Sequence, residues 1–254
     1  MAGPLPDGYR REHHGSLAST NAHALAAARA GAAGGLWVTA DDQTEGRGRR
    51  GRSWTTDVGN LAASLMLIDP APRALAPTVS FVAAVALHQA VVDLVGPAAA
   101  ERLALKWPND LLLDRAKVAG ILIEGEGLAS GAFAVVVGIG VNCISHPEIA
   151  RGQAAADLTA HGLPVDAEAL FGRLAVRMDE ELCRWDHGRG FAEVREAWLA
   201  RAAGVGEPIR VNLAAGSVSG RFEALDDDGR LVLLCDDGQR QSIGAGDVFL
   251  VGAR

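Results

Sequence analysis

Residues 46–54 read Gly46-Arg47-Gly48-Arg49-Arg50-Gly51-Arg52-Ser53-Trp54, which places four arginines and three glycines in the seven positions 46–52. The chain as a whole carries a formal net charge of -7, so this loop is a local concentration of positive charge. Two like charges about 8 Å apart repel by about 0.5 kcal/mol even in water. Glycine lets the backbone approach a ligand closely or adopt positive φ. We therefore interpret the loop as a site for a concentrated anion.

Three other interpretations of the loop are open at this point. The spacing Gly46-x-Gly48-x-x-Gly51 matches the dinucleotide-binding pattern, but that pattern requires a helix directly after it, whereas a turn-like segment and a strand-like run at 61–68 follow here. An arginine-glycine box for RNA or single-stranded DNA would stack bases on aromatic residues, and the loop offers only Trp54. A merely solvated loop is the third interpretation, although solubilising arginines are usually interspersed with acids.

Composition limits the class of protein. A chain of 254 residues suits one large domain, or one domain plus a small one. The N-terminus lacks the apolar region of a secretory signal. The longest apolar region, 79–95, is interrupted by polar residues, so it predicts a buried helix and no membrane span. The three cysteines are odd in number and far apart, which argues against a CxxC motif and for a reducing cytoplasm. The acidic balance argues against general nucleic-acid binding.

Lysine usage is a second signal. Lysine and arginine together number 24, yet only Lys106 and Lys117 are lysines. Both lie in the segment Lys106-Trp107-Pro108-Asn109-Asp110-Leu111-Leu112-Leu113-Asp114-Arg115-Ala116-Lys117-Val118-Ala119-Gly120. Chance could place them there. The functional interpretation is that the two positions need a compact, strongly hydrated ammonium group, which a planar guanidinium does not replace.

Hydrophobic periodicity predicts alternating strands and helices. Residues 1–15 read as loose, and a helix capped near Ser19 runs to about residue 33. We predict strands at 36–40, 60–68, 103–107, 110–113, 118–124 and 134–143, and helices at 79–95, 166–185 and 191–202. Short strands with hairpin turns at 226–229 and 236–238 predict a small SH3-like barrel at the C-terminus. The predicted domains are 1–203 and 204–254.

Several segments taken together resemble those of biotin–protein ligases, also called biotin–[acetyl-CoA-carboxylase] ligases. The resemblance is strong over about residues 16–143 and looser over the C-terminal barrel. It departs from the family at Ala155-Ala156-Asp157-Leu158, where Ala-Thr-Ser-Leu is common. Lipoate ligases use a different arginine-glycine pattern and lack the Lys-Trp-Pro-Asn-Asp block. The matching segments are Ser19-Thr20-Asn21, Gln43 with the loop to Trp54, Lys106-Trp107-Pro108-Asn109-Asp110, Lys117-Val118-Ala119-Gly120-Ile121-Leu122-Ile123-Glu124 and Gly138-Ile139-Gly140-Val141-Asn142.

The resemblance implies an α/β (α+β) fold: a mixed sheet with flanking helices, similar to class II aminoacyl-tRNA synthetases, plus the SH3-like barrel. It implies a cytoplasmic enzyme that uses ATP, biotin and Mg²⁺. The biotin carboxylate would attack the α-phosphate of ATP, and the resulting biotinyl-5′-AMP would biotinylate a lysine of a biotin carboxyl carrier protein. We expect neither DNA nor membrane binding, because fewer residues precede Ser19 than the roughly 50 that a helix-turn-helix domain needs. A homodimer through the edge of the strand at 61–68 is left open.

The resemblance also assigns roles to single residues. The catalytic group is Lys117, Arg47, Arg49 and Lys106. The biotin-binding group is Ser19, Thr20, Asn21, Gln43, Arg47, Gly48, Arg49, Lys117 and Gly120. The ATP-binding group is Arg50, Arg52, Trp54, Asn109 and Asn142, with Arg50 and Arg52 at the outer phosphates.

Some of these residues have alternative explanations. Ser19 and Thr20 could simply cap a helix, and Trp54 could be a core residue. Asp110 could orient Lys106, hold Mg²⁺ or cap a turn. Glu124 has no role beyond an outward strand position or a lysine partner. We expect the arginine loop to be mobile without ligand and to order over the adenylate, because its charges repel one another.

Overall fold

A seven-stranded mixed sheet is the centre of the larger, N-terminal part of the protein. The computed structural model describes residues 4–147, 154–214 and 216–250. The sheet order is β1-β2-β3-β7-β6-β5-β4. Strands β1 and β2 are parallel and joined by helix α1, while the other neighbours are antiparallel. The strands are β1 Arg10–Leu17, β2 Leu36–Gln43, β3 Leu61–Ile68, β4 Leu103–Lys106, β5 Asp110–Leu113, β6 Ala116–Gly127 and β7 Phe133–Val141. The predicted mixed sheet is confirmed.

Helices cover the two faces of this sheet unequally. They are α1 Thr20–Arg29, α2 Val79–Val95, α3 Ala167–Trp185 and α4 Phe191–Leu199. Because side chains alternate along a strand, one face packs on α1, through Ala24 and Ala28. The other face packs on the remaining helices in the main core. Helix α1 is short and apolar only in part, so it leaves some of its face of the sheet open.

Helix α2 is a core helix, as predicted. Together with the turn before it, the helix spans Ala76–Val95, which is long and apolar enough to cross a membrane, with a mean hydropathy of 1.7. However, 67% of its most apolar stretch is buried inside the protein. It contacts the sheet, α3 and α4. Its hydrophobicity is therefore explained by packing inside the protein.

A second, five-stranded antiparallel sheet follows at the C-terminus, in the order β11-β10-β9-β8-β12. Its strands are β8 Pro208–Leu213, β9 Gly216–Leu225, β10 Leu231–Leu234, β11 Arg240–Ile243 and β12 Asp247–Leu250. The arrangement is consistent with the SH3-like barrel. The β9–β10 turn is seated on the larger sheet, since Trp107 Nε1 donates to the Gly229 carbonyl at 3.1 Å. Gly229 has φ +76, and a Cβ there would lie 2.6 Å from the Phe81 ring.

One expectation about the strands is wrong, and the structure limits a second possibility. Residues 1–15 read as loose, yet Arg10–Leu17 forms edge strand β1. The polar sequence of β1 lacks the apolar alternation that marks a half-buried strand. The sequence leaves open a homodimer through the edge of the strand at 61–68, but that strand, β3, lies between β2 and β7 and is not an edge of the described sheet. The outer strands of the described sheet are β1 and β4.

Candidate active site

A cavity of about 470 Å³ opens on the face of the large sheet that α1 covers only in part. Strands β6 and β7 form its floor, the N-terminus of α1 closes one end, and the arginine loop lies over it. The barrel contributes Asp247, Val248 and Phe249 to the wall. Of the residues assigned from the sequence, all but Arg50 line this cavity: Ser19, Thr20, Asn21, Gln43, Arg47, Gly48, Arg49, Arg52, Trp54, Lys106, Asn109, Asp110, Lys117, Gly120 and Asn142.

Three glycines make the floor flat. Gly120 and Gly140 are cross-strand partners, and Gly138 is the next residue on the same face of β7. A Cβ on Gly140 would lie 2.4 Å from the Trp54 indole, and one on Gly138 would lie 2.3 Å from Asn21 Oδ1. The missing side chains thus allow Trp54 and Asn21 to lie directly against the strands. The sequence analysis assigned no role to Gly138 or Gly140. Two glycines spaced two residues apart in an apolar strand could have indicated that another group lies close to that face of the strand.

Neutral polar groups form the end of the cavity at α1. Ser19 caps the helix, because its Oγ accepts from Ala22 N at 3.4 Å. It also lines the cavity, so capping leaves it available for a binding role. Gln43 Oε1 accepts from the backbone nitrogen and the hydroxyl of Thr20, at 2.9 and 3.1 Å. Gln43 Nε2 donates to Thr56 at 3.0 Å. The amide of Gln43 is therefore fixed by partners on both sides.

Asn21 is held by Ser64, which the sequence did not single out, and by Glu124, to which it gave no binding role. Ser64 Oγ lies 2.6 Å from Asn21 Oδ1 and 2.8 Å from Thr20 Oγ1. Asn21 Nδ2 donates to Glu124 Oε2 at 2.7 Å. The expectation of a lysine partner for Glu124 is wrong, since its partner is this amide. Ser64 and Glu124 reach Asn21 only because β3 and β6 both flank β7.

The two lysines share one carboxylate. Asp110 Oδ1 lies 2.6 Å from Lys117 Nζ, and Oδ2 lies 3.4 Å from Lys106 Nζ. The strand register accounts for one of these contacts, because Lys106 pairs with Asp110 across β4 and β5. Burial lowers the pKa of Lys106, and the charge of Asp110 acts in the opposite direction. With both ammonium groups protonated, the cluster carries one net positive charge.

The geometry around Asp110 bears on its open roles. Both of its oxygens face ammonium groups, an arrangement that suits a residue orienting the two lysines. It does not fit as a Mg²⁺ ligand, because a metal ion would have to displace or repel those cations.

The arginine loop folds back on itself. Gly48 N donates to the Arg52 carbonyl at 2.7 Å, and Trp54 N donates to the Gly46 carbonyl at 2.9 Å. The tip requires two left-handed residues, Arg50 at φ 56 and Gly51 at φ 72. This explains one glycine of the loop, since positive φ is costly for most other residues.

Arg49 points from the loop into the cavity. Its Nη1 donates to Asn109 Oδ1 at 3.0 Å, and Asn109 Nδ2 in turn donates to the Ile121 carbonyl at 2.7 Å. Burial lowers the pKa of Arg49, although a guanidinium stays protonated in proteins. Arg49 therefore places a fixed positive charge close to the lysine pair.

Arg50 and Arg52 take a different direction. Both contact Asp247 Oδ2 at the start of β12, Arg50 through Nη1 at 3.1 Å and Arg52 through Nη2. The tip of the loop is thereby tied to the barrel. Sequence reasoning missed Asp247, because it lies 197 residues beyond Arg50 and no local pattern connects the two.

Lys117 sits between the floor and the last described segment before α3. Its Nζ lies 5.5 Å from the centre of the Trp54 ring, within the range of a cation–π contact. Its backbone nitrogen donates to the Ala154 carbonyl at 2.7 Å. Asn142 Nδ2 donates to the Ala156 carbonyl at 3.0 Å. Backbone hydrogen bonds therefore join residues 154 and 156 to the site, and Ala155, in the segment that departs from the family pattern, also lines the cavity.

Comparison with known proteins identifies the family of ligases to which the chain is similar. Residues 18–142 match the model of the biotin/lipoate A/B protein ligase family, and residues 204–251 match that of the biotin protein ligase C-terminal domain. The chain is 44% identical to a biotin–[acetyl-CoA-carboxylase] ligase of Paracoccus denitrificans, over 92% of this chain and 98% of that one. It is 34% identical to the enzyme of that name from Mycobacterium tuberculosis, over 91% and 85% of the two chains.

A solved structure agrees with these relatives. Biotin protein ligase from Aquifex aeolicus, in complex with biotin and ATP, superposes with a TM-score of 0.77 at 25% identity. The match covers 94% of this chain and 97% of that one. The chain belongs to the biotin protein ligase family.

Proposed function

We propose that this chain activates biotin with ATP to give biotinyl-5′-AMP and transfers the biotinyl group to a lysine of a biotin carboxyl carrier protein. The observation that carries the proposal is the division of one cavity into two chemical halves. Neutral donors and acceptors lie at the α1 end, and Arg49, Lys106 and Lys117 lie at the other. A ligand with a neutral polar head and a reactive anionic end fits this division.

The neutral end suits the cyclic urea of biotin. A urea presents one acceptor oxygen and two N–H donors, so its site needs both kinds of partner. Hydroxyl and amide groups of Ser19, Thr20 and Asn21 supply them, and these three residues are buried. The valeryl chain would then cross the glycine floor toward the cations.

The cationic end suits the first half-reaction. A carboxylate oxygen of biotin forms a bond to the α-phosphorus of ATP, the bond from that phosphorus to the bridging oxygen breaks, and pyrophosphate leaves. Two anions meet in this step, so positive charge fixed beforehand lowers the barrier. Lys117 and Arg49 are placed at this point, and Asp110 keeps the two ammonium groups apart and oriented. Holding the reactants in line contributes further.

The second half-reaction needs protection from water. The amine of the carrier lysine attacks the acyl carbon of the mixed anhydride, an amide forms, AMP leaves, and the amine gives up a proton. Until that attack, water is the competing nucleophile. We assign the exclusion of water to the arginine loop, which is tied at its tip to Asp247. In this division the barrel, residues 204–254, serves the site that residues 1–203 build.

Mg²⁺ is implied by the family and belongs to the proposal only through ATP. The cavity-lining carboxylates among the described residues are Asp110 and Asp247, and both are paired with cations. Neither fits as a resident metal ligand, so any Mg²⁺ would enter on the phosphate oxygens. A cytoplasmic location agrees with the free cysteines of the described chain. A homodimer stays a prediction.

Pyrophosphate exchange tests the proposed activity. We expect the enzyme to incorporate labelled pyrophosphate into ATP only when biotin is present. Exchange that depends on lipoate would move the chain to the lipoyl branch, and the absence of exchange with either acid would contradict adenylation altogether.

The same assay tests the role of Lys117. We expect Lys117→Ala to abolish exchange while biotin still binds. Arg115→Ala is the matched control, because Arg115 lies on the turn just before Lys117, its side chain is half-exposed, and it forms a long ion pair with Glu207 at 3.9 Å. Exchange at the wild-type rate in Lys117→Ala would remove Lys117 from the mechanism.

A further inference from the structure

A cluster of two histidines and a glutamate lies on the α1 side of β1, separate from the cavity. Glu12 and His14 are two residues apart on β1, so they share one face of the strand. His23 belongs to α1, one turn into the helix. The residue between Glu12 and His14, His13, faces the other way, toward Thr39 and Asp41.

The ligand atoms of this cluster converge. Glu12 Oε2 lies 3.1 Å from His23 Nε2 and 4.0 Å from His14 Nε2. The three atoms all lie within 4.8 Å of one another. Around tetrahedral zinc, with bonds of about 2.0–2.1 Å, neighbouring ligand atoms are about 3.3 Å apart. Small side-chain rotations would therefore bring the three atoms to coordination distance.

One atom of the cluster gives independent support. His14 Nε2 is shielded from solvent and makes no hydrogen bond to any residue that the structure describes. Buried polar atoms of this kind normally have a partner, and leaving one without a partner is unfavourable. The centres of the two imidazole rings lie 4.6 Å apart, and the ring planes are tilted by 56°. The side chains of His14 and His23 are about one-third exposed, so the cluster lies near the protein surface.

We propose that Glu12, His14 and His23 form a binding site for a divalent transition metal of the zinc class. Two imidazole nitrogens and one carboxylate oxygen suit Zn²⁺, which takes three protein ligands and leaves a fourth position for water. The ion would tie edge strand β1 to α1, the helix whose first turn carries Thr20 and Asn21. The site is distinct from any Mg²⁺ that accompanies ATP, since its ligands are nitrogen-rich.

Titration with Zn²⁺ alone tests the site. The full chain, in a Cys183→Ser background that removes an exposed thiol, is titrated by isothermal calorimetry in a non-chelating buffer. We expect one equivalent to bind and the melting temperature to rise with Zn²⁺. Outer partners of metal ligands typically contribute about 10–100-fold in affinity, so loss of a direct ligand in His14→Ala or His23→Ala should weaken binding by more than about tenfold.

Co²⁺ and a control variant make the result specific. Co²⁺ absorption in the visible region should report a site of low coordination number in the parent protein and not in His23→Ala. His13→Ala removes a neighbouring histidine on the opposite face and should bind Zn²⁺ like the parent. Equal Zn²⁺ binding by His14→Ala, His23→Ala and the parent would overturn the proposal, as would a parent that binds no Zn²⁺.

Discussion

Gly138→Ala probes how closely the neutral end of the cavity is built. The added Cβ would lie 2.3 Å from Asn21 Oδ1, 2.9 Å from its Cγ and 3.0 Å from its Nδ2. An ordinary contact begins at 3.4 Å, so the amide would have to retreat by 3.4 − 2.3, or about 1 Å. Asn21 cannot do this freely, because Ser64 holds its oxygen at 2.6 Å and Glu124 holds its nitrogen at 2.7 Å.

The size of the effect follows from what the retreat disrupts. Two hydrogen bonds contribute about 1 kcal/mol each, and overpacking a tight site costs about 1–3 kcal/mol. We therefore expect Gly138→Ala to lower the free energy of unfolding by about 1–5 kcal/mol, with the upper value if both hydrogen bonds are lost. If biotin loses about 1.4–2.8 kcal/mol of binding free energy through the displaced amide, its Kd rises about 10- to 100-fold.

Calorimetric titration with biotin and urea unfolding measure the two effects separately. Gly127→Ala is the control, because Gly127 is exposed on β6 and a Cβ there would meet only the flexible end of Arg73, at 3.7 Å. Gly140→Ala is the companion: it displaces Trp54, so we expect it to slow adenylation more than it weakens biotin. A Gly138→Ala protein that binds biotin within about twofold of wild type would refute the role given to Asn21.

Three further predictions concern charges. Asp247→Asn removes the carboxylate that pairs with Arg50 and Arg52 of the loop. We expect trypsin to cleave the loop faster, while the free energy of unfolding changes by less than about 1 kcal/mol. An unchanged cleavage rate would contradict a restraining role for Asp247. Asp110→Asn leaves Lys106 and Lys117 without their shared counter-charge. We expect the rate of pyrophosphate exchange to fall at least about tenfold, while the Kd for biotin stays near the wild-type value. Exchange at the wild-type rate would exclude a positioning role for Asp110. His88 is buried, and burial is the main reason that its pKa is lowered from 6.5 to about 4. Between pH 6.5 and pH 4 the unfolded chain therefore binds more protons than the folded protein. The free energy of unfolding falls as the pH drops through this range, by about 3 kcal/mol in total. Urea unfolding at pH 7 and pH 4 should show this loss in wild type and not in His88→Leu; parallel pH profiles would contradict the assignment.

Features that depend on residues close together in the chain can be predicted from the sequence. The arginine loop and the two lysines stand out because their composition is unusual within a short segment. The helix cap at Ser19 is a short-range hydrogen bond, so a local pattern can predict it. Core helix α2 follows from continuous apolar character. These parts of the site and of the fold can be predicted from the sequence because each depends on neighbours along the chain.

Long-range partners cannot be predicted in that way. Ser64, Glu124 and Asp247 meet their partners through sheet register and through the seating of the barrel, which no single segment encodes. Strand β1 escapes prediction because its polar residues serve contacts other than a core. Arg11, for example, pairs with Glu168 of α3 at 2.6 Å, which replaces apolar burial on that face.

Activation of the biotin carboxylate at the α-phosphate of ATP is the step on which the proposed function depends. Its most direct test is a rapid-quench single turnover with ATP labelled at the α-phosphate, excess enzyme, biotin and no carrier protein. We predict that the label appears in enzyme-bound biotinyl-5′-AMP, with one pyrophosphate released for each adenylate formed. Label that appears only in ADP, or only in AMP with no adenylate at any time, would contradict this mechanism.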